Sequence, residues 1–142
     1  MNRVVVVSGG FDPIHSGHIA MFEEAKKLGD ILVVALNSDA WLTRKKGRPF
    51  MPWTERAGVI SAMSVVDRVI DFNDDDGTAC EALNRVLGSW PDSKIIFANG
   101  GDRGKDNIPE MTVINPRLSF EFAVGGDDKK NSSSWILKEW SQ

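Results

Sequence analysis

The sequence is poor in the residues that mark several common classes of protein. It contains one cysteine, Cys80, and two histidines in 142 residues. A single cysteine excludes an internal disulfide framework and fits a reducing compartment. The net charge of −3 argues against general binding to nucleic acid or to a membrane surface. Because no apolar run approaches the roughly 20 residues of a membrane helix, and "MNRVVVV" is too short for a secretory signal, we expect a soluble, cytoplasmic protein.

Apolar runs and amphipathic stretches alternate along the chain, which is 42% hydrophobic and 26% charged. This pattern predicts one α/β domain over residues 1–142, a Rossmann-like doubly wound fold with a mainly parallel five-stranded sheet. The predicted strands are 3–8, 30–37, 68–72, 93–101 and 118–124, and the predicted helices are 17–29, 53–66, 76–89 and 132–140.

Ligands of such folds bind beyond the carboxyl ends of the strands. That rule places residues 8–18, 37–48 and 98–105 along one rim. The segment 38–52 is expected to be a polar, basic connection, and its length suggests a function. The run "NDDDG" at 73–77 is expected to be a solvated turn that caps a helix.

Both histidines lie in the stretch "SGGFDPIHSGH", which directly follows the first strand. His15 and His18 are three residues apart, so they share one face of a helix start. A zinc site needs at least three protein ligands, and the chain has no third histidine. A phosphate site fits better, because Gly9, Gly10 and Gly17 leave room at a helix N-terminus and imidazoles can donate to phosphate oxygens. Two ordinary surface histidines are the remaining alternative.

The same residues resemble a known signature. "GGFDPIHSGH" is similar to the G-x-F-D-x-x-H-x-G-H motif of the cytidylyltransferase-like nucleotidyltransferases, and residues 25–39, 45–56 and 65–72 resemble the corresponding segments in the same order. The resemblance implies transfer of a nucleoside monophosphate from a nucleoside triphosphate to a small phosphorylated acceptor. Pyrophosphate is the implied product, Mg²⁺ the implied cofactor and a homodimer the implied assembly.

The resemblance also implies roles for individual residues. His15 and His18 would stabilise the charge that develops on the α-phosphate, while Lys46, from the basic stretch "RKKGR", and Arg56 would hold the triphosphate. No protein ligand to a metal is predicted. The implied nucleotide-binding residues are Gly9, Gly10, Phe11, Asp12, Gly17, Gly101, Asp102, Ser132, Ser133 and Ser134.

The resemblance leaves more than one possibility open for the nucleotide and for the acceptor. CTP is expected, because the small single-domain members that act on glycerol 3-phosphate and similar acceptors use it. ATP with a sugar phosphate is the alternative, since residues 46–56 are closest to the enzymes that form ADP-heptose and the serine run lacks the lead-in typical of CTP enzymes. A non-catalytic nucleotide-binding protein is a further alternative.

Trp41 and Trp53 are candidates for the acceptor pocket or the core, and Cys80 is expected to be a buried thiol.

Overall fold

Five strands form one sheet in the computed structural model, which describes residues 2–100, 108–124 and 137–138. Within these ranges every strand pair is parallel and the strand order is β3-β2-β1-β4-β5. This arrangement confirms the predicted doubly wound α/β fold. The strands are β1 (Arg3–Gly9), β2 (Ile31–Leu36), β3 (Arg68–Ile70), β4 (Lys94–Gly100) and β5 (Leu118–Val124).

Four α-helices and one short 3₁₀ helix connect the strands in the described part of the chain. None of these helices is long and apolar enough to cross a bilayer. The helix predicted for 132–140 falls almost wholly outside the described residues. The helices are α1 (Ser16–Lys26), α2 (Asp39–Lys46), α3 (Trp53–Ser61) and α4 (Cys80–Ser89), and the 3₁₀ helix is Pro109–Thr112.

The polar, basic connection expected over residues 38–52 contains a helix, α2, that was not predicted from the sequence. Ser38 caps it by accepting the backbone N–H of Trp41 at 3.1 Å. Gly47 ends it with a φ of 95°, which glycine adopts without strain. The helix has only eight residues and one buried side chain, Leu42. It therefore lacks the repeated apolar stripe by which an amphipathic helix is recognised in a sequence.

The sheet is covered on both faces, as the β-branched run of the first strand predicts. Val4, Val5, Val6 and Val7 are all fully buried, although neighbouring strand residues point to opposite faces. One face packs against α4, and the other packs against α1 and α3. A strand buried on both sides gives a rigid base for the residues that follow it.

The start of β5 is tied to the end of α4 by Arg117. Its guanidinium donates to the carbonyl oxygens of Leu87 at 2.9 Å, Trp90 at 2.8 Å and Ser93 at 2.9 Å. Carbonyls at a helix C-terminus lack partners within the helix, so this side chain satisfies groups that would otherwise need water. Cys80, at the start of α4, is only partly buried, so the expectation of a buried thiol is wrong.

Strand order also fixes where a ligand can bind. β1 lies between β2 and β4, and the chain leaves the sheet in different directions after β1 and β4. A crevice forms at such a switch point, beyond the carboxyl ends of the two strands. Gly9 and Gly100 end these strands, so the histidine-containing stretch begins at the edge of this crevice.

Candidate active site

The two histidines stack on each other at the start of α1. Their ring centroids are 3.7 Å apart with an interplanar angle of 23°. His15 Nδ1 accepts the backbone N–H of Gly17 at 3.1 Å, and His18 Nδ1 accepts the backbone N–H of His15 at 3.2 Å. An acceptor nitrogen carries no proton, so the proton of each neutral ring lies on Nε2. No group in the part of the chain that the structure describes accepts from either Nε2–H, so each imidazole has one N–H group that can donate to a ligand.

Both rings are neutral near pH 7. Burial, together with the smaller effect of the neighbouring His15, lowers the pKa of His18 from 6.5 to about 3. Burial also lowers the pKa of His15. Desolvation disfavours a charged imidazole, and two rings in stacking contact cannot both be protonated without repulsion. The pair can thus donate hydrogen bonds to an anion, but any neutralising positive charge must come from another residue.

The space beside Gly9 and Gly10, in the turn before the histidines, is occupied by other side chains of the protein. A Cβ atom on Gly9 would lie 2.8 Å from the Phe11 ring, and one on Gly10 would lie 2.8 Å from Leu42. Phe11 in turn meets His18 edge to face, with ring centroids 4.9 Å apart. The absence of side chains at Gly9 and Gly10 therefore lets Phe11 and Leu42 pack beneath the turn. Phe11 supports the histidine pair from the side of the core.

Lys46, the last residue of α2, reaches the loop that carries the histidines. Its Nζ lies 3.2 Å from Asp12 Oδ2 and also donates to the Asp12 carbonyl oxygen. Asp12 is 2% exposed, and its carboxylate accepts the backbone N–H groups of Phe50 at 2.6 Å and Met51 at 2.7 Å. Asp12 thus joins the loop after β1 to the loop after α2. Its predicted contact with a nucleotide stays a prediction.

Arg56, expected to hold the triphosphate, is fully buried. Its guanidinium donates to the carbonyl oxygens of Met51, Gly10 and Asn37, each at 2.9 Å, and to Asp39 Oδ1 at 2.6 Å. These bonds join the ends of β1 and β2 to α2 and to the loop before α3. The geometry therefore makes Arg56 a support of the crevice, and its contact with phosphate stays a prediction.

One residue of the site had no signal in the sequence. Asp74 is 2% exposed, so the expected solvated turn is wrong at this position. Burial alone would raise the pKa of its carboxyl, but hydrogen bonds from Ser38 and Asn37 and the charge of Arg44 outweigh that effect and lower the pKa. Asn37 and Ser38 follow the carboxyl end of β2, where the fold class favours functional residues. Nothing local distinguishes Asp74 from Asp75 and Asp76.

The two tryptophan candidates differ in their surroundings. Trp53 Nε1 donates to the Leu36 carbonyl at 3.2 Å, and the ring packs against the core. Trp41 lies on α2, where Lys45 Nζ sits 4.8 Å from the centroid of its ring. Trp53 is therefore a core residue, and Trp41 belongs to the rim.

The structure brings together most of the predicted site in the part of the chain it describes. His15, His18 and Gly17 form the start of α1, and Lys46 meets the same loop through Asp12. The described residues contain no group of three or more side chains of the kinds that hold a metal. The predicted residues Gly101, Asp102, Ser132, Ser133 and Ser134 lie outside the described residues.

A doubly wound sheet with two neutral imidazoles and a lysine at its switch point defines an α/β nucleotidyltransferase domain. The chain belongs to the cytidylyltransferase-like family, which it matches over residues 6–132. It is 41% identical to the bifunctional protein HldE of Syntrophotalea carbinolica over 98% of this chain and 28% of that protein. It is 39% identical to the protein of the same name from Photorhabdus laumondii over 89% of this chain and 24% of that protein.

The chain thus spans about a quarter of the length of these curated relatives. A solved structure of similar size extends the likeness. The lipopolysaccharide core biosynthesis protein of Thermoplasma volcanium is 27% identical, with a TM-score of 0.67, over 92% of this chain and 100% of that chain. The family predicted from the histidine signature is therefore confirmed.

Proposed function

We propose that this domain is an adenylyltransferase that transfers AMP from ATP to the phosphate of a sugar phosphate and releases pyrophosphate. The observation that carries the transferase reaction is the neutral, stacked pair of His15 and His18 at the start of α1, beside Lys46. Both Nε2–H groups are available as donors at the switch point of the sheet. A pair of uncharged donors suits an α-phosphate on which further negative charge develops in the transition state.

The comparisons support ATP over the CTP expected from the small single-domain members. Residues 46–56 resemble the enzymes that form ADP-heptose, and the two HldE proteins described above are 39% and 41% identical to this chain. The similar protein from Thermoplasma volcanium is named for lipopolysaccharide core biosynthesis, which supports a sugar phosphate as the acceptor. The expectation of CTP is not confirmed by any of these relatives.

The reaction requires one bond to form and one to break. A phosphate oxygen of the acceptor donates a lone pair to the α-phosphorus of ATP. The bond from that phosphorus to the bridging oxygen of the β-phosphate breaks, and its electron pair leaves with pyrophosphate. Because the acceptor phosphate is already an anion, no base has to remove a proton, and the protein contributes position and charge stabilisation.

Lys46 supplies the positive charge that the neutral histidines lack. Its side chain is 26% exposed, so the ammonium lies at the boundary between the protein and the crevice. The Asp12 carboxylate beside it is held by two backbone N–H groups and stays in place when a ligand arrives. A triphosphate would therefore compete with Asp12 for Lys46 or share it.

Mg²⁺ accompanies nucleoside triphosphates in reactions of this kind and neutralises charge on the phosphates. The described residues do not build a protein cage for the ion: Asp12 is bound to backbone N–H groups, and Asp39 is paired with Arg56. We propose that the ion is bound through the triphosphate. A homodimer and a cytoplasmic location stay predictions.

A nucleotide screen tests the proposal. The purified chain is mixed with ATP, CTP, GTP or UTP and with a panel of sugar phosphates and glycerol 3-phosphate, and pyrophosphate release is measured. We expect turnover with ATP and a sugar phosphate. Turnover with CTP and glycerol 3-phosphate would reinstate the first expectation. Nucleotide binding without pyrophosphate from any pair would favour a non-catalytic binding protein.

A further inference from the structure

Asp74 holds α2 at both of its ends. At the start, its carboxylate accepts the Ser38 backbone N–H at 2.8 Å and the Ser38 hydroxyl at 2.7 Å, and Ser38 is the residue that caps α2. Near the end, Arg44 donates to the Asp74 backbone carbonyl at 2.9 Å. One residue of the loop after β3 thus fixes two points of a helix that is about 12 Å long.

The same carboxylate is tied to the crevice on its other side. It accepts the side-chain N–H of Asn37 at 3.0 Å, and the Asn37 carbonyl accepts from Arg56. The three bonds to this carboxylate, from the Ser38 backbone, the Ser38 hydroxyl and Asn37, are made to a side chain that is 3% exposed, so water competes little for them. The position of α2 relative to the strand ends therefore depends on Asp74.

Lys46 is the residue that depends on the position of α2. It ends the helix two residues after Arg44, and its ammonium meets Asp12 in the loop that carries the histidines. We propose that Asp74 is a positioning residue for triphosphate binding: by holding α2 at Ser38 and Arg44, it places Lys46 beside the histidine pair. This inference rests on the proposed function in one respect, namely that Lys46 meets the phosphates.

The test compares binding of ATP and adenosine by calorimetry. Asp74→Asn keeps the size of the side chain but puts an NH₂ group where an oxygen accepts hydrogen bonds, so the hold on α2 weakens. We expect ATP to bind about tenfold more weakly, because a shift of α2 weakens one charge-assisted contact, that of Lys46 with the phosphates. Adenosine binding should be unchanged. Asp75→Asn is the matched control, because it removes the same charge from an exposed neighbour and should alter neither ligand.

A double mutant separates positioning from general damage to the fold. If Asp74 acts through Lys46, Asp74→Asn should cause no further loss of ATP binding in a Lys46→Ala background. A tenfold loss that persists in that background, or an equal loss for adenosine, would overturn the inference. Ser38→Ala is the second variant should Asp74→Asn fail to fold, and its smaller loss of ATP binding should vanish in the same background.

The two proposals fail in different ways. If the wild-type chain binds CTP and not ATP, the proposed function is wrong in its nucleotide, and the same cycle is run with CTP and cytidine. If the wild type binds neither triphosphate, the proposed function and this inference both fall. If ATP binds and the two substitutions are additive, only the role of Asp74 is refuted.

Discussion

Acidification should destabilise this protein through His18, and one substitution isolates the effect. The folded chain keeps His18 neutral, with a pKa of about 3, whereas the ordinary value is 6.5. Between these values the unfolded chain binds more protons than the folded one. The free energy of unfolding therefore falls as the pH is lowered from neutrality, and it does so most steeply below about pH 6.5.

The magnitude follows from the two pKa values. At about pH 5, protonation of the unfolded chain lowers the stability by RT ln(1 + 10^1.5), or about 2 kcal/mol, while the folded chain still carries almost no proton on His18. His18→Asn removes the titrating group and places an amide oxygen near the position of Nδ1. The His15 N–H thus keeps an acceptor.

Urea denaturation of both proteins at about pH 7.5 and about pH 5 measures the difference. The wild type should lose about 2 kcal/mol more than His18→Asn over this interval. Other titrating groups, His15 included, are present in both proteins, so most of their contribution cancels. Equal losses in the two proteins would refute the claim that the histidine pair is held neutral by burial.

Further predictions address the mechanism and the fold. His18→Ala should lower kcat by about 10²–10³-fold with a smaller change in ATP affinity, in steady-state kinetics beside a calorimetric titration. Lys46→Ala should weaken ATP binding more than adenosine binding, with a contrast that shrinks as salt rises; an equal loss for both ligands would contradict a phosphate contact. Arg56→Lys should lower the unfolding free energy by about 3 kcal/mol, because buried carbonyl acceptors lose their donors; weaker ATP binding at unchanged stability would instead support a direct phosphate contact. Arg117→Ala should cost about 2 kcal/mol in the same denaturation assay and leave kcat unchanged.

The elements with a strong periodic pattern were predictable from the sequence. A short β-branched run such as "RVVVV", ending in glycines, indicates a strand buried on both faces, and alternation of strands with helices indicates a parallel sheet. The predicted strand at 118–124 has the observed bounds, Leu118–Val124. Helix α2 was missed because eight residues with one buried side chain carry no periodic signal. The helix predicted over 53–66 is shorter in the structure: it has nine residues and ends at Ser61.

The sequence by itself determined the histidine pair, because His15 and His18 are three residues apart at a helix start and their proximity is local. Tertiary structure alone decided what surrounds that pair. Arg56 lies in the first turn of its helix and was expected to hold the triphosphate, yet it is buried among carbonyls from two strand ends. Asp74 looks the same as its two acidic neighbours until the sheet order brings it against the start of α2. Periodicity records which face of an element is apolar. The partners of the Arg56 and Asp74 side chains, apart from Met51, lie 17 to 46 positions away in the chain, and only the assembled sheet brings them into contact.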